Sequence, residues 1–529
     1  MDRYIPDPGS ERHLHARLQS VEDRVRASDM ALVRIQYQAQ IHLPKPSLKL
    51  MKKNAHHVRH LVFRMYGNAP PAAQLVRYPY LQTVRFECTD SFDRNAYGYG
   101  YGRATGGFKG SWDFIAGMIE NQPYLHKIIV NANNQMMEMP ETFVSALSTC
   151  LKLDDLQTSG LSFIMQYFQT VLPRVRRLTS SGGRYDLPPT WKDDGTSFPN
   201  LQYLVLNNSE RTSKSTELGW LLQCPNLTAL VWSRSELPLK LFCELVPAAC
   251  PQLTSLELRS QLSDQDVALI LTSFPKIEQF SVYSSKFGPQ SPEALRRHLP
   301  TLKEINFREN RAPTSKTVQE ILSSFPDLLR LGSDDLFYEE HYRQPWVCHN
   351  LRSLDIGIGM ESWNRHNSSH FKQRQVYKRL SELTQLESLT IGPVPNRMPL
   401  EFTMSAGIDE LKTLTKLKHF HWKGDFHKLI LRSEVVDWML QNWKRITTLE
   451  GFVSPGDPSF KKIKETLEER GIIHIGTWTA TRHSEERLFG VYDPEYGGLP
   501  DFGGSYGADD IDDGMGGMSY NDYMDYYSL

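Results

Sequence analysis

Pro199-Asn-Leu201-Gln-Tyr-Leu204-Val-Leu206 is followed by Pro225-Asn-Leu227-Thr-Ala-Leu230-Val-Trp232 and by Pro251-Gln-Leu253-Thr-Ser-Leu256-Glu-Leu258. The phrase returns as Pro275-Lys-Ile277-Glu-Gln-Phe280-Ser-Val282, Pro300-Thr-Leu302-Lys-Glu-Ile305-Asn-Phe307 and Pro326-Asp-Leu328-Leu-Arg-Leu331. The prolines step by 26, 26, 24, 25 and 26 residues. An L-x-x-L-x-L phrase repeated at about 20 to 29 residues is the mark of a leucine-rich repeat.

One unit shows why the pattern must repeat. In Leu253-Thr-Ser-Leu256-Glu-Leu258 the last apolar pair has period 2, so Leu256 and Leu258 point to one face of a short strand and Ser255, Glu257 and Arg259 to the other. Asp264 to Phe274 carries apolar residues at helical spacing, and the proline of the next phrase ends it. Strand and helix each have one apolar face, and only a stacked neighbour can bury it. The expected fold is an α/β leucine-rich-repeat solenoid, a horseshoe with a concave parallel sheet and helices on the convex side.

Outward from this stretch the phrase recurs upstream at Val58-Arg-His-Leu61-Val-Phe63, Leu81-Gln-Thr-Val84-Arg-Phe86 and Leu125-His-Lys-Ile128-Ile-Val130, with further units at Leu153 and Val175. Downstream it recurs at Leu351, Leu386, Leu417 and Ile446. About fifteen degenerate units then occupy residues 45–476. Insertions are expected near 90–111, where a Gly/Tyr-rich run includes Tyr97 to Gly102, and at 357–375, which contains Trp363, His366 and His370. Residues 1–44 read as an N-terminal helix, with Leu14, Leu18, Val21 and Val25 on one face, followed by a capping strand in which Val33, Ile35, Tyr37, Ala39, Ile41 and Leu43 alternate with polar residues. A helix from Phe460 ends at Gly471, and Ile472, Ile473 and Ile475 read as a last strand. The acidic, Gly/Tyr-rich stretch 477–529, with Asp509, Asp510, Asp512 and Asp513, is expected to be disordered because it cannot bury enough apolar surface.

Lys plus Arg (60) nearly cancel Asp plus Glu (61), which argues against a nucleic-acid partner. No apolar run is long enough to cross a membrane and there is no signal-peptide core, so a cytoplasmic or nuclear protein with no membrane partner is expected. Cys88, Cys150, Cys224, Cys243, Cys250 and Cys348 are scattered without C-x-x-C spacing and read as small apolar residues. His366 and His370 have the i, i+4 spacing of a helical metal pair, but Asn367-Ser368-Ser369 between them reads as a loop. No catalytic motif is present. No enzyme, cofactor or metal is expected.

The outward positions of the strands are the better candidate for a site. Tyr203 and Asn207 lie on one strand and Ser233 on the next. Glu257 and Arg259, then Gln279 and Tyr283, then Glu304, Asn306 and Arg308 continue the face, and His421 lies further along. Tyrosine and arginine among mixed charges suit a protein partner.

The repeats resemble those of fungal F-box proteins with leucine-rich repeats. Ala55-His-His-Val58-Arg-His-Leu61-Val-Phe63, the Pro-x-Leu-x-x-Leu-x-Leu phrases and Leu380-Ser-Glu-Leu383-Thr-Gln-Leu386-Glu-Ser-Leu389-Thr-Ile391 carry the resemblance over residues 45–476. It implies a substrate receptor of a cullin-type ubiquitin ligase, holding a protein substrate on the concave face and a Skp1-type adaptor through an F-box. Residues 1–31 show neither a Leu-Pro-x-Glu-like nor a Val-Cys-Lys-x-Trp-like F-box phrase. The alternative expectation is a repeat scaffold with no ubiquitin role, such as a GTPase regulator or inhibitor.

Overall fold

Most strands of the computed structural model are short because one unit needs only two inward side chains to meet its neighbours. The structure describes residues 31–38, 55–66, 77–89, 109–122, 124–132, 137–138, 140–164, 170–181, 185–186, 197–207, 218–219, 221–233, 238–308, 315–338, 344–360, 368–394, 397–423, 433–451 and 458–475. All lie in the unit Met1–Gly497.

Strands run in chain order as β1 (Ala31–Gln38), β2 (Val58–Tyr66), β3 (Thr83–Thr89), β4 (Lys127–Ala132), β5 (Asp155–Ser159) and β6 (Arg177–Ser181). They continue as β7 (Tyr203–Asn207), β8 (Ala229–Ser233), β9 (Ser255–Arg259), β10 (Gln279–Tyr283), β11 (Glu304–Asn306) and β12 (Arg330–Phe337). The series closes with β13 (Ser353–Met360), β14 (Ser388–Gly392), β15 (His419–Trp422), β16 (Thr448–Glu450) and β17 (Ile473–Ile475). Each pairs in parallel with the next, as a solenoid requires. The connections between strands include α1 (Lys109–Glu120), α2 (Glu141–Thr149), α3 (Leu239–Ala249), α4 (Asp264–Ser273), α5 (Gln290–Leu295), α6 (Ser315–Ser324), α7 (Ser368–Ser381), α8 (Ser433–Asn442) and α9 (Pro458–Glu469). The chain is a leucine-rich-repeat solenoid.

Register explains the core. Leu204, Leu230, Leu256, Phe280, Ile305 and Leu331 stand opposite one another on successive strands, and all are buried. Aromatic rings carry the packing from strand to helix: Trp232 meets Phe242 at 5.3 Å, and Phe242 meets Phe274 at 5.4 Å. The turn before each strand is tied to the preceding unit. Asn200 Nδ2 donates to the Pro173 carbonyl at 2.6 Å and Asn226 Nδ2 to the Pro199 carbonyl at 2.7 Å.

Helix ends are locked in the same way. Ser263 and Asp266 form a reciprocal capping box on α4. Asp264 instead serves the next unit, accepting from the N–H groups of Gly288 (2.8 Å), Gln290 (2.8 Å) and Ser291 (2.9 Å). Burial pushes its carboxyl up, but these bonds and the Ser291 hydroxyl outweigh it and hold the group below the usual carboxylate range. Gly288 has no room for a side chain, since an added Cβ would stand 2.8 Å from Asp264 Oδ2.

Three differences from the sequence expectations have physical causes. The insertion assigned to 357–375 is largely regular: Gly357 to Met360 extends β13, and Ser368 opens α7. Serine is a turn-forming and helix-capping type, so the run reads as a loop, but Ser368 and Ser369 lie in the first turn of α7; Asn367 is outside the described residues. The insertion assigned to 90–111 ends in α1, which begins at Lys109. Short strands at Met137–Glu138, Leu161–Ile164 and Tyr185–Asp186 also form a second parallel ladder, too short to leave a periodic signal. Strand β1 lies within the expected capping strand and pairs with β2, and α9 ends before Gly471, whose φ of 68° places it in the left-handed region. The expected helix near 11–27, the Gly/Tyr run and the stretch 477–529 lie outside the described residues.

Two outcomes follow. Leu256→Ala should lose about 3 kcal/mol in urea denaturation, since a fully packed leucine leaves a cavity between two neighbours. Asp264→Ala should cost about 1 kcal/mol at neutral pH. Because the native carboxyl is held low, its contribution is present above the unfolded value of about 3.9 and is lost as pH falls through the lower native value, so the gap between the two proteins should close in acid.

Candidate protein-binding face

The register that aligns the leucines also aligns three outward positions on every strand. The middle one passes through Val205, Val231, Glu257, Ser281, Asn306, Gly332, Asp355, Thr390, His421 and Glu450. Most of this column is buried, with Val205 at 0% exposure and Asp355 at 2%. On a concave sheet the neighbouring side chains converge, and the middle one is shielded from both sides.

Burial divides the predicted site residues into two groups. Asn207, Glu257, Asn306, Arg308 and His421 are buried, whereas Tyr203, Ser233, Arg259, Gln279, Tyr283 and Glu304 are half-exposed. The buried group holds the other in place. Ser233 Oγ donates to Asn207 Oδ1 at 2.8 Å, and Arg259 Nε donates to Glu257 Oε1 at 2.7 Å. Asn306 Nδ2 donates to the Tyr283 hydroxyl at 2.7 Å, while the Arg259 guanidinium lies 5.3 Å from the Tyr283 ring centre. The Arg177 guanidinium lies 4.6 Å from the ring centre of Tyr203. Burial pushes the Glu304 carboxyl up, opposed by Arg330 at 3.6 Å and by a hydrogen bond from Gln279. A tyrosine fixed at both ends loses little freedom on binding, which favours affinity.

Asp355 is the hub of the face. Arg308 Nη1 reaches it at 2.9 Å from one side and Lys423 Nζ at 3.3 Å from the other. Arg308 follows β11 and Asp355 is on β13; on the strand between them Gly332 stands opposite both Asn306 and Asp355. Lys423 lies against Gly392, where an added Cβ would be 3.5 Å from the lysine chain and 3.9 Å from the Gly357 Cα. Both cations thus cross a neighbouring strand to reach one carboxylate.

His421 lies beside this hub without joining it. Its Nδ1 makes no hydrogen bond and stands 3.8 Å from Glu450. Burial, together with the positive charges of Lys423 and Arg308, pushes the imidazole down to about 3, so it is neutral at physiological pH and its contact with Glu450 is not an ion pair.

Other sequence candidates lie apart from this face. His370 is exposed in the first turn of α7, with Nε2 3.1 Å from Glu401, and His366 lies outside the described residues. Among the described residues no group of three or more His, Cys, Asp or Glu side chains is placed to hold a metal ion. The cysteines are free thiols; burial pushes Cys150 up to about 11 and Cys250 and Cys348 up to about 12, which leaves them unreactive. No helix among the described residues is long and apolar enough to cross a membrane. Sequence reasoning missed Asp355, although a carboxylate between the inward Leu354 and Ile356 was the available signal.

Asp355→Ala should be strongly destabilising, by about 3 to 5 kcal/mol, because it strands two largely buried cations. Replacing Arg308, Asp355 and Lys423 together by Met, Leu and Met should cost far less, and denaturation of both variants checks this. For His421, the unfolded chain takes up a proton near pH 6.5 and the native chain only near pH 3, so native stability should fall as pH drops through that window. In His421→Asn the fall measured between pH 7.5 and 5 should be smaller.

Among solved structures the chain is similar to an internalin from Listeria monocytogenes, at 13% identity over 70% of this chain and 88% of that one, with a TM-score of 0.34. It is also similar to a chain of the Toll–Spatzle complex of Drosophila, at 13% identity over 79% of this chain and 57% of that one (TM-score 0.34). A chain of the Rad7–Elc1 complex of yeast matches at 10% identity over 90% of this chain and 100% of that one (TM-score 0.36). No family profile matches the chain, and no curated protein sequence does.

Proposed function

We propose that the chain is a non-catalytic scaffold that binds a protein on the concave face of its sheet. The observation that carries this reading is the fixed row of half-exposed side chains, Tyr203, Arg259 and Tyr283, each held by a neighbour. Rigid aromatic and arginine anchors are frequent at the energetic centres of protein interfaces. Such a face holds a partner without chemistry of its own; its work is positioning.

The finer reading is a receptor that presents its bound protein to a cullin-type ubiquitin ligase through a Skp1-type adaptor. It rests on the resemblance of the repeats to those of F-box proteins. A binding scaffold with no ubiquitin role shares the same face.

The experiment is affinity capture with the full chain and with a variant combining Tyr203→Ser, Arg259→Gln and His419→Ala. His419 is the exposed outward residue that opens β15, Tyr203 and Arg259 are half-exposed, and Gln keeps a donor for Glu257. Arg308 is left intact because it is buried and pairs with the Asp355 carboxylate that it shares with Lys423. A captured protein lost from the variant, at unchanged melting temperature, is the expected result. A Skp1-type adaptor and a cullin recovered alongside it support the ligase reading, and their absence favours the plain scaffold. Capture undiminished in the variant contradicts the concave site.

A further inference from the structure

The rim where the strands begin differs between the two halves of the repeat series. Just before each strand a backbone N–H donates to the preceding unit: Gln82 to the Arg59 carbonyl (2.8 Å), His126 to Gln82 (2.9 Å), Asp154 to His126 (3.0 Å) and Arg176 to Asp154 (2.8 Å). This ladder sets those side chains in one column. The turn residues Tyr80, Tyr124, Lys152 and Arg174 flank it, and Arg177 opens β6.

In the later units three cations at the strand starts are paired across the unit boundary, while Lys276 donates to the Pro251 carbonyl at 3.1 Å. Lys303 pairs with Glu278 at 2.6 Å, Arg330 with Glu304 at 3.6 Å and Lys418 with Glu387 at 2.6 Å. In the earlier units Lys127 pairs in this way with Asp155, but five other cations do not. Arg59 lies over the Tyr80 ring at 4.9 Å, Lys152 over Tyr124 at 4.4 Å and Arg177 over Tyr203 at 4.6 Å, while Arg174 donates to the Ser148 carbonyl at 3.2 Å. Arg176 is exposed. Among the described residues none of these five cations is within ion-pair distance of a carboxylate, and Asp155 is taken by Lys127 at 3.2 Å. Asp154 lies in the same column, and the Asp155 carboxyl feels the positive charge of Arg177 as well as that of Lys127. Beside Lys152, Leu151 is 77% exposed, and Tyr80 and Tyr124 are 53% and 45% exposed.

We propose that this rim, from Arg59 to Arg177, is a docking surface for an acidic polypeptide segment that carries an apolar residue. Unneutralised cations attract carboxylates and speed encounter with them. Leu151 with the tyrosine rings supplies an apolar contact, which a protein segment uses and a phosphate backbone does not. A track for single-stranded nucleic acid needs open ring faces for base stacking, and here one face of each tyrosine is already covered by a cation. At about 4.8 Å per strand the rim is roughly 20 Å long, which an extended segment of about six residues spans. The rim shares the Arg177–Tyr203 contact with the concave row, but the variants tested here change none of the residues altered in the capture experiment, so the two proposals can fail independently.

The test uses the full chain and a fluorescein-labelled octapeptide of Glu and Asp with one central Leu, read by anisotropy at several salt concentrations. A Gln/Asn version and an oligo-dT of equal charge serve as comparison probes. One variant combines Lys152→Gln, Arg174→Gln and Arg176→Gln; the other, with the same change in net charge, combines Lys303→Gln, Arg330→Gln and Lys418→Gln. The expected result is salt-sensitive binding of the acidic peptide, weakened about tenfold by the first variant and by less than about twofold by the second, with melting temperatures confirming that both fold. The proposal is overturned if the Gln/Asn peptide binds equally well, if both variants weaken binding alike, or if oligo-dT binds more tightly than the peptide.

Discussion

No unit of this chain can bury its own apolar face, and that constraint governs the rest. A strand such as Ser255–Arg259 offers Leu256 and Leu258 to the interior, and they are buried only because Leu230 and Trp232 stand on one side and Phe280 and Val282 on the other. Register is therefore not free. A slip of one residue would turn every leucine out and every polar residue in. The outward columns inherit the same register, so the placement of Tyr203, Arg259 and Tyr283 follows from the packing behind them.

The concave face has two layers of meaning. Its middle column is framework: Asp355 gathers Arg308 and Lys423 across intervening strands. Such a buried ionic cluster adds little net stability compared with apolar side chains, but removing one member is costly, so it constrains how this part of the sheet can be arranged. The flanking positions are exposed enough to touch a partner. Their orientation depends on framework residues that a partner would never reach.

The fold was legible because its signal repeats. Six phrases from Pro199 to Leu331 declare strand, helix and turn together, and the described strands fall where the phrases end. The site was legible in outline only. Alternation along a strand identifies outward side chains, so Glu257, Asn306 and His421 were found, but it does not register curvature, which buries them. Nor does it show that Lys423 and Asp355 meet 68 residues apart, or that Arg308 shares that carboxylate. The start of α7 was hidden for a different reason: Asn367, Ser368 and Ser369 are loop formers and helix caps alike, and only neighbouring structure distinguishes the two.

Native-state hydrogen exchange on the full chain tests most directly the claim that the units are stable only through one another. The account predicts the strongest protection in central strands such as those holding Leu230, Leu256 and Phe280, declining gradually toward Ala31–Gln38 and Ile473–Ile475, where a neighbour is missing on one side among the described residues. Central amides that exchange as fast as those at the two ends would contradict it.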